Sequence, residues 1–276
     1  MGECYSKMFI ENGEVHDCSV FDNSKVFEGL VIYEVIRIRE GIPIFLNDHF
    51  QRLCSSAELI DNLMLIEFDE LRDQILRLTG ITGIREGNVK VSLKYSESYT
   101  GYLIYFVDTH YPTPEMYKNG VRGILYYAER KNPVVKEFNH KLRSSIYTEL
   151  IQANAYEALL VNRDACITEG SRSNIFFIKG DNIITAPDDC VLGGITRGKI
   201  LAICREKEFS VDFRCLHTGE LSSVDSVFLT GTSPNVLPFR EIEGYKFSAV
   251  NSMLKRIADS YIKMVEDYMK DFVLKI

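Results

Sequence analysis

The stretch Thr168–Arg197 reads TEGSRSNIFFIKGDNIITAPDDCVLGGITR, and the rest of the chain is best read outward from it. It sets one acidic residue, Glu169, in a turn of small residues just ahead of the apolar run Ile175–Ile178. A Gly193-Gly194-Ile195-Thr196-Arg197 step then opens a helical pattern, with Thr196 expected at the cap. The free N–H groups and dipole of such a helix start favour a phosphate. Further on, the apolar run Val227–Leu229 ends in the turn Thr230-Gly231-Thr232-Ser233, whose N–H groups and hydroxyls suit the same anion. Neither of the two common nucleotide fingerprints, GxGxxG and GxxxxGKS/T, occurs in the chain. A phosphate held without them, near a placed carboxylate, suggests a phosphorylated cofactor other than NAD or ATP.

Bulk properties narrow the classes. At 276 residues, 46% of them hydrophobic, the chain can bury one large core or two modest ones. A formal net charge of −7 argues against nucleic acid as a main partner. No apolar run approaches the 18 residues of a membrane span, and Met1–Lys7 shows no apolar signal segment. Seven scattered cysteines without CxxC, and histidines without HExxH, give no metal site. The expected setting is a reducing one, the cytoplasm.

Periodicity divides the chain into two halves. In the first, alternation over Val31–Ile38 predicts a strand, Glu40-Gly41 a turn, and Asn47 onward a helix with Phe50, Leu53 and Ala57 on one face. A second helix is expected over Phe68–Leu78, then a hairpin of Val89–Tyr95 with Tyr102–Val107. Pro112 and Pro114 stiffen the chain, and the linker is placed at Thr113–Asn119. The expected domains are therefore 1–115 and 120–276. The second half predicts strands at Val121–Ala128, Ala158–Asn162, Asn174–Lys179 and Ile183–Ala186, with helices over 142–155, 196–207 and 248–273.

The motifs TEGSxSNxFFIxG from Thr168, GITR from Gly194 and FLTGTSPxVLP from Phe228 resemble, in order, those of the class IV (fold type IV) pyridoxal-phosphate enzymes. These are the branched-chain and D-amino-acid aminotransferases and the aminodeoxychorismate lyases. Tyr33-Glu34-Val35-Ile36-Arg37 and Asp48-His49-Phe50-Gln51-Arg52-Leu53 match upstream, so the resemblance runs from about Phe27 to about Gly244. It implies an α+β, two-domain fold like that of D-amino-acid aminotransferase, with the cofactor between the domains and a homodimer completing each site. It also implies transfer of an amino group between an amino acid and a 2-oxo acid. The alternatives are a 4-amino-4-deoxychorismate lyase with the same cofactor, and a cofactor-less binding protein on the same scaffold.

Pyridoxal phosphate needs a Schiff-base lysine, a carboxylate at the pyridine nitrogen, a phosphate clamp and a group for the substrate carboxylate. Two lysines compete for the first role, and Lys141 is expected to fill it, with Lys136 as the alternative. Lys141-Leu142-Arg143-Ser144 runs into an apolar helix face of Ile146, Leu150, Ile151 and Ala153, which favours Lys141. The distance from Lys136 to Glu157-Ala158-Leu159-Leu160 matches the family without a gap, which favours Lys136. The resemblance assigns Glu169 to the pyridine nitrogen. The phosphate would be held by Arg52, the Ile195 and Thr196 N–H groups, the Thr196 hydroxyl and Thr232, with Arg197 supporting the loop. For the substrate it implies Tyr33, with Thr232 and Ser233. The Tyr-x-Arg of branched-chain members and the Arg/His pair of D-amino-acid members are both missing; Asn88-Val89-Lys90 stands in the first place and offers Lys90 as the cation.

Overall fold

A computed structural model describes residues 3–130, 133, 134, 136 and 140–274, with His140 and Lys141 described by backbone only. The chain forms two compact units, Met1–His110 with Val135–Phe138 and Val265–Ile276, and Tyr111–Val134 with Asn139–Met264.

The first unit begins with a hairpin, β1 (Met8–Glu11) and β2 (Glu14–Asp17), then a short helix α1 (Ser24–Phe27). There follow β3 (Leu30–Arg39), β4 (Ile42–Pro43), α2 (Leu46–Glu58), α3 (Phe68–Thr82), β5 (Gly87–Tyr95) and β6 (Thr100–Val107). The sheet order is β2-β1-β6-β5-β3-β4. Glu40 and Gly41 both take positive φ, as a two-residue hairpin turn between β3 and β4 requires. Alternation sends Ile32, Ile36, Val89, Val91, Leu93, Ile104 and Phe106 to one face, where Leu46, Leu53 and Ala57 of α2 and Leu71, Ile75 and Leu78 of α3 cover them. The register pairs Tyr33 with Ser92 and Val35 with Lys90, which puts Tyr33, Lys90 and Ser92 on the opposite face. That face is covered as well. Phe9, Val26, Leu103 and Tyr105 form a second small core there.

The second unit contains α4 (Pro114–Asn119), β7 (Val121–Tyr127), α5 (His140–Ala153), β8 (Glu157–Val161), β9 (Cys166–Gly170), β10 (Asn174–Lys179) and β11 (Asn182–Thr185). Then come α6 (Ile195–Glu206), β12 (Ser210–Phe213), β13 (Leu216–His217), β14 (Ser226–Gly231), β15 (Asn235–Ile242) and β16 (Tyr245–Lys246). The last helix, α7, spans Ser252–Val273, and its final turns group with the first unit. Strand order is β12-β11-β10-β14-β15-β7-β8-β9-β13, with β16 on β15. β7 runs parallel to both β8 and β15. No helix among the described residues is long and apolar enough to cross a membrane.

Within the segment read as the linker, Thr113 accepts from the Met116 N–H and Pro114 opens α4. Two local expectations are corrected. Ile151 is exposed, so the buried side of α5 is narrower than the apolar pattern implied and rests on Ile146 and Leu150. The last helix starts at Ser252, where the Asn251 carboxamide accepts from the Met253 and Leu254 N–H groups.

Candidate active site

In the first unit, a carboxylate sits where the strand pattern calls for an apolar side chain. Glu34 shares a face with Ile32 and Ile36 and is 1% exposed. A buried charge must be paired. Arg52 of α2 meets it with two parallel bonds, Nε to Oε1 and Nη2 to Oε2, each 2.6 Å. His49, one turn earlier on the same helix, lies 2.7 Å from Oε2 through Nδ1. Burial alone would push the Glu34 carboxyl up. The Arg52 and Lys136 charges, with hydrogen bonds from His49 and Arg52, instead hold it well below the usual carboxylate range. For His49 burial dominates and pushes the imidazole down, against the pull of Glu34.

Glu34→Gln is expected to destabilise the protein by about 3 kcal/mol or more, because it removes the buried charge from a bidentate pair with the part-buried Arg52. The midpoint of urea unfolding reports this, and an unchanged midpoint would dismiss the pair as a stabilising element. The folded pKa is depressed, so the pair's contribution is complete above the unfolded glutamate pKa, about 4.3. It is lost only as pH falls through the lower folded value.

Lys136 belongs to the same unit. Its carbonyl accepts from the Tyr33 N–H at 3.3 Å, and its Nζ stands 5.4 Å from the centre of the Tyr33 ring. Lys90 approaches the same ring, its Nζ 4.8 Å from the centre. The structure thus gathers Tyr33, Lys90, Lys136, Glu34, His49 and Arg52 in one unit. The side chain of Lys141 lies outside the described residues.

In the second unit Glu169 is 3% exposed. It stands in β9 rather than in a turn, because Cys166–Gly170 pairs with β8 and β13. Oε1 accepts from Arg130 Nη1 at 3.1 Å, and Oε2 accepts from the Leu192 N–H at 3.2 Å. Burial pushes the Glu169 carboxyl up, opposed by Arg130 and the Leu192 N–H. Behind it, Glu157 is buried and accepts from the hydroxyls of Ser171 at 2.6 Å and Ser173 at 2.8 Å. The two serines of TEGSRSN therefore shape the loop after Glu169.

Asn174 joins the two anion-binding candidates. Its Nδ2 donates to the Leu192 carbonyl at 2.8 Å. A Cβ at Gly194 would come within 2.1 Å of its Oδ1, so any larger residue there would have to displace the Asn174 carboxamide. In the sheet Asn174 pairs with Thr230, which brings the Thr230–Ser233 turn alongside the start of α6. Gly194, not Thr196, caps α6, and it supplies no side-chain hydrogen bond. Extended backbone at Gly194 puts Ile195 and Thr196 inside the first turn. Their N–H groups thus belong to the unsatisfied set that every helix start presents. The buried Thr230 hydroxyl has no partner among the described residues. Arg197 turns away, to the Ala186 carbonyl at 2.8 Å and to Asp188, and supports the loop as expected. Donors without acceptors on one side, and a buried carboxylate on the other, fit a phosphorylated ring with a basic nitrogen.

The amino-transferase class IV family model matches residues 31–242. The chain belongs to the class IV aminotransferases. It is 30% identical to the D-alanine aminotransferase of Bacillus licheniformis, over 84% of this chain and 86% of that one. It is 25% identical to the branched-chain-amino-acid aminotransferase of Pseudomonas aeruginosa, over 81% of this chain and 78% of that one. Its fold matches the PLP-bound form of a hypothetical aminotransferase from Mycobacterium tuberculosis, with TM-score 0.80 at 17% identity over 94% and 98% of the two chains. The α+β fold is type IV, and pyridoxal phosphate is the family's cofactor.

Sequence reasoning missed Glu34, His49, Arg130, Glu157 and Asn174. For Glu34 a signal was present: an acid on the apolar side of an alternating strand, followed by a His-x-x-Arg pair at helical spacing. For Arg130 there was none, since its partner lies 39 residues away.

Proposed function

We infer that this protein transfers the α-amino group of an amino acid to a 2-oxo acid, with Lys136 carrying the cofactor. The observation that carries this reading is the buried Glu169 carboxylate, held by Arg130 and the Leu192 N–H at the foot of α6, whose cap supplies no side-chain hydrogen bond. A carboxylate kept in so dry a place points to a bound cationic partner. Pyridoxal phosphate, when bound, supplies an electron sink for the carbanion formed at the substrate Cα.

Each residue then has one task. Glu169 accepts the pyridinium N–H and keeps that proton in place. The Ile195 and Thr196 N–H groups, the Thr196 and Thr232 hydroxyls and Arg52 hold the phosphate. Glu34 and His49 fix the plane of the Arg52 guanidinium. Lys136 would hold the cofactor covalently through its Nζ and would move the proton at the substrate Cα. Lys136 is preferred to Lys141 because its Nζ faces Tyr33 in the unit that holds Arg52. Tyr33, Ser233 and the Thr232 backbone bound the substrate. Lys90 lies beside Tyr33, but its ammonium is engaged by Glu3. The reading includes a homodimer, which the family resemblance supports, and a cytoplasmic setting, which the seven free cysteines support.

The test is the half-reaction. D- and L-alanine and D- and L-leucine are added singly to the coloured holoenzyme. One enantiomer series should bleach the visible band, and pyruvate should restore it. A band that no amino donor bleaches would point to the lyase instead, and a colourless preparation to a binding protein.

A further inference from the structure

Lys90 is a lysine in the interior of a sheet. It is 2% exposed, at the middle of β5, on the face that carries Tyr33 and Tyr105. A buried ammonium demands a counter-charge. It finds one far away in sequence: Glu3 Oε1 lies 2.6 Å from its Nζ. The other oxygen, Oε2, accepts from the Tyr105 hydroxyl at 3.0 Å, and Tyr105 OH lies 3.3 Å from Ser92 Oγ. The ammonium also stands 4.8 Å from the Tyr33 ring centre and 5.9 Å from that of Phe27. Tyr33 is at the same time the ring under Lys136.

We propose that Glu3 sets the substrate class: by neutralising Lys90 beside Tyr33, it selects amino and 2-oxo acids whose side chain is uncharged. This rests on the reading that Lys136 and Tyr33 belong to the reacting centre. A bare Lys90 would draw in a second carboxylate, as on glutamate or 2-oxoglutarate. With Glu3 in place the Lys90–Glu3 pair has no net charge. A dicarboxylic substrate must displace Glu3 from both Lys90 and Tyr105, or lie against a like charge. A side-chain amine gains nothing, because the Glu3 oxygens already have their donors. An apolar or hydroxyl side chain meets neither penalty.

The experiment compares kcat/KM for 2-oxoglutarate with that for pyruvate in the holoenzyme, using acceptors so that the handedness of the donor does not enter. The wild-type protein should favour pyruvate. Glu3→Gln should raise the 2-oxoglutarate to pyruvate ratio about tenfold or more, chiefly through KM. Adding Lys90→Met should cancel that gain, which a merely structural effect of Glu3 would not produce. Tyr105→Phe, which loosens Glu3 from its other side, should move the ratio in the same direction and serves if Glu3→Gln folds poorly. A wild-type preference for 2-oxoglutarate, or an unmoved ratio in both single variants, overturns the proposal. Borohydride reduction of the same preparations separates the two levels. An adduct away from Lys136 overturns the reading of the centre, while an adduct on Lys136 with an unmoved ratio overturns the role of Glu3 alone.

Discussion

Lys136→Ala is expected to abolish transamination, lowering kcat by about a thousandfold or more, and to remove the visible band of the bound cofactor. The variant loses both the covalent attachment and the base at the substrate Cα, and a positioned base alone contributes about 10²–10⁴-fold. The backbone of this residue has a separate task, since its carbonyl accepts from the Tyr33 N–H. Alanine keeps that bond, so the strand edge and the Glu34–Arg52 pair should survive and the unfolding midpoint should change little. Lys141→Ala is the control. It lies in the first turn of α5, and its replacement should leave the band and the rate near wild type. A Lys136→Ala protein that is still coloured and turns over normally would remove Lys136 from the chemistry.

Glu169→Gln should keep the cofactor but lower kcat about 10²–10³-fold, the usual cost of removing one positioned electrostatic partner from a dry site. The amide has the shape of the acid and can still meet the Leu192 N–H. It has no charge to hold a proton on the pyridine nitrogen. Arg130 complicates the result, because it loses its own counter-charge when Glu169 is neutral. Cofactor content and thermal midpoint, measured beside the rate, separate the two effects. A rate loss with full cofactor content supports the role given to Glu169. A rate near wild type would exclude it.

Much of the fold was legible because it follows from short-range rules. Alternation located β3 and β5, the apolar face located α2 and α3, and the Gly-rich steps located the start of α6 and the end of β14. The N-terminal hairpin of β1 and β2 was not seen. Its strands are four residues each and gain their stability by pairing β1 with β6, more than ninety positions away in sequence. Glu169 read as a turn residue because glycine and serine follow it. Its strand is fixed by partners in β8 and β13 that no local pattern reveals.

The site divides in the same way. Glu169, Thr196 and Thr232 stand in motifs and could be singled out from sequence. Lys90 could be placed on a face by alternation, yet its counter-ion Glu3 lies 87 positions away, so no local pattern reveals the pair. The choice between Lys136 and Lys141 turned on a helical pattern against a spacing. Periodicity reports which face of a helix is apolar. It does not report which side chain faces a tyrosine on another strand.

The most direct measurement is borohydride reduction of the holoenzyme followed by peptide mass mapping. Reduction fixes the cofactor to whichever lysine carries it. A pyridoxyl adduct on Lys136, in the peptide that precedes His140, is the predicted result. An adduct on Lys141, or none on either lysine, would contradict the account.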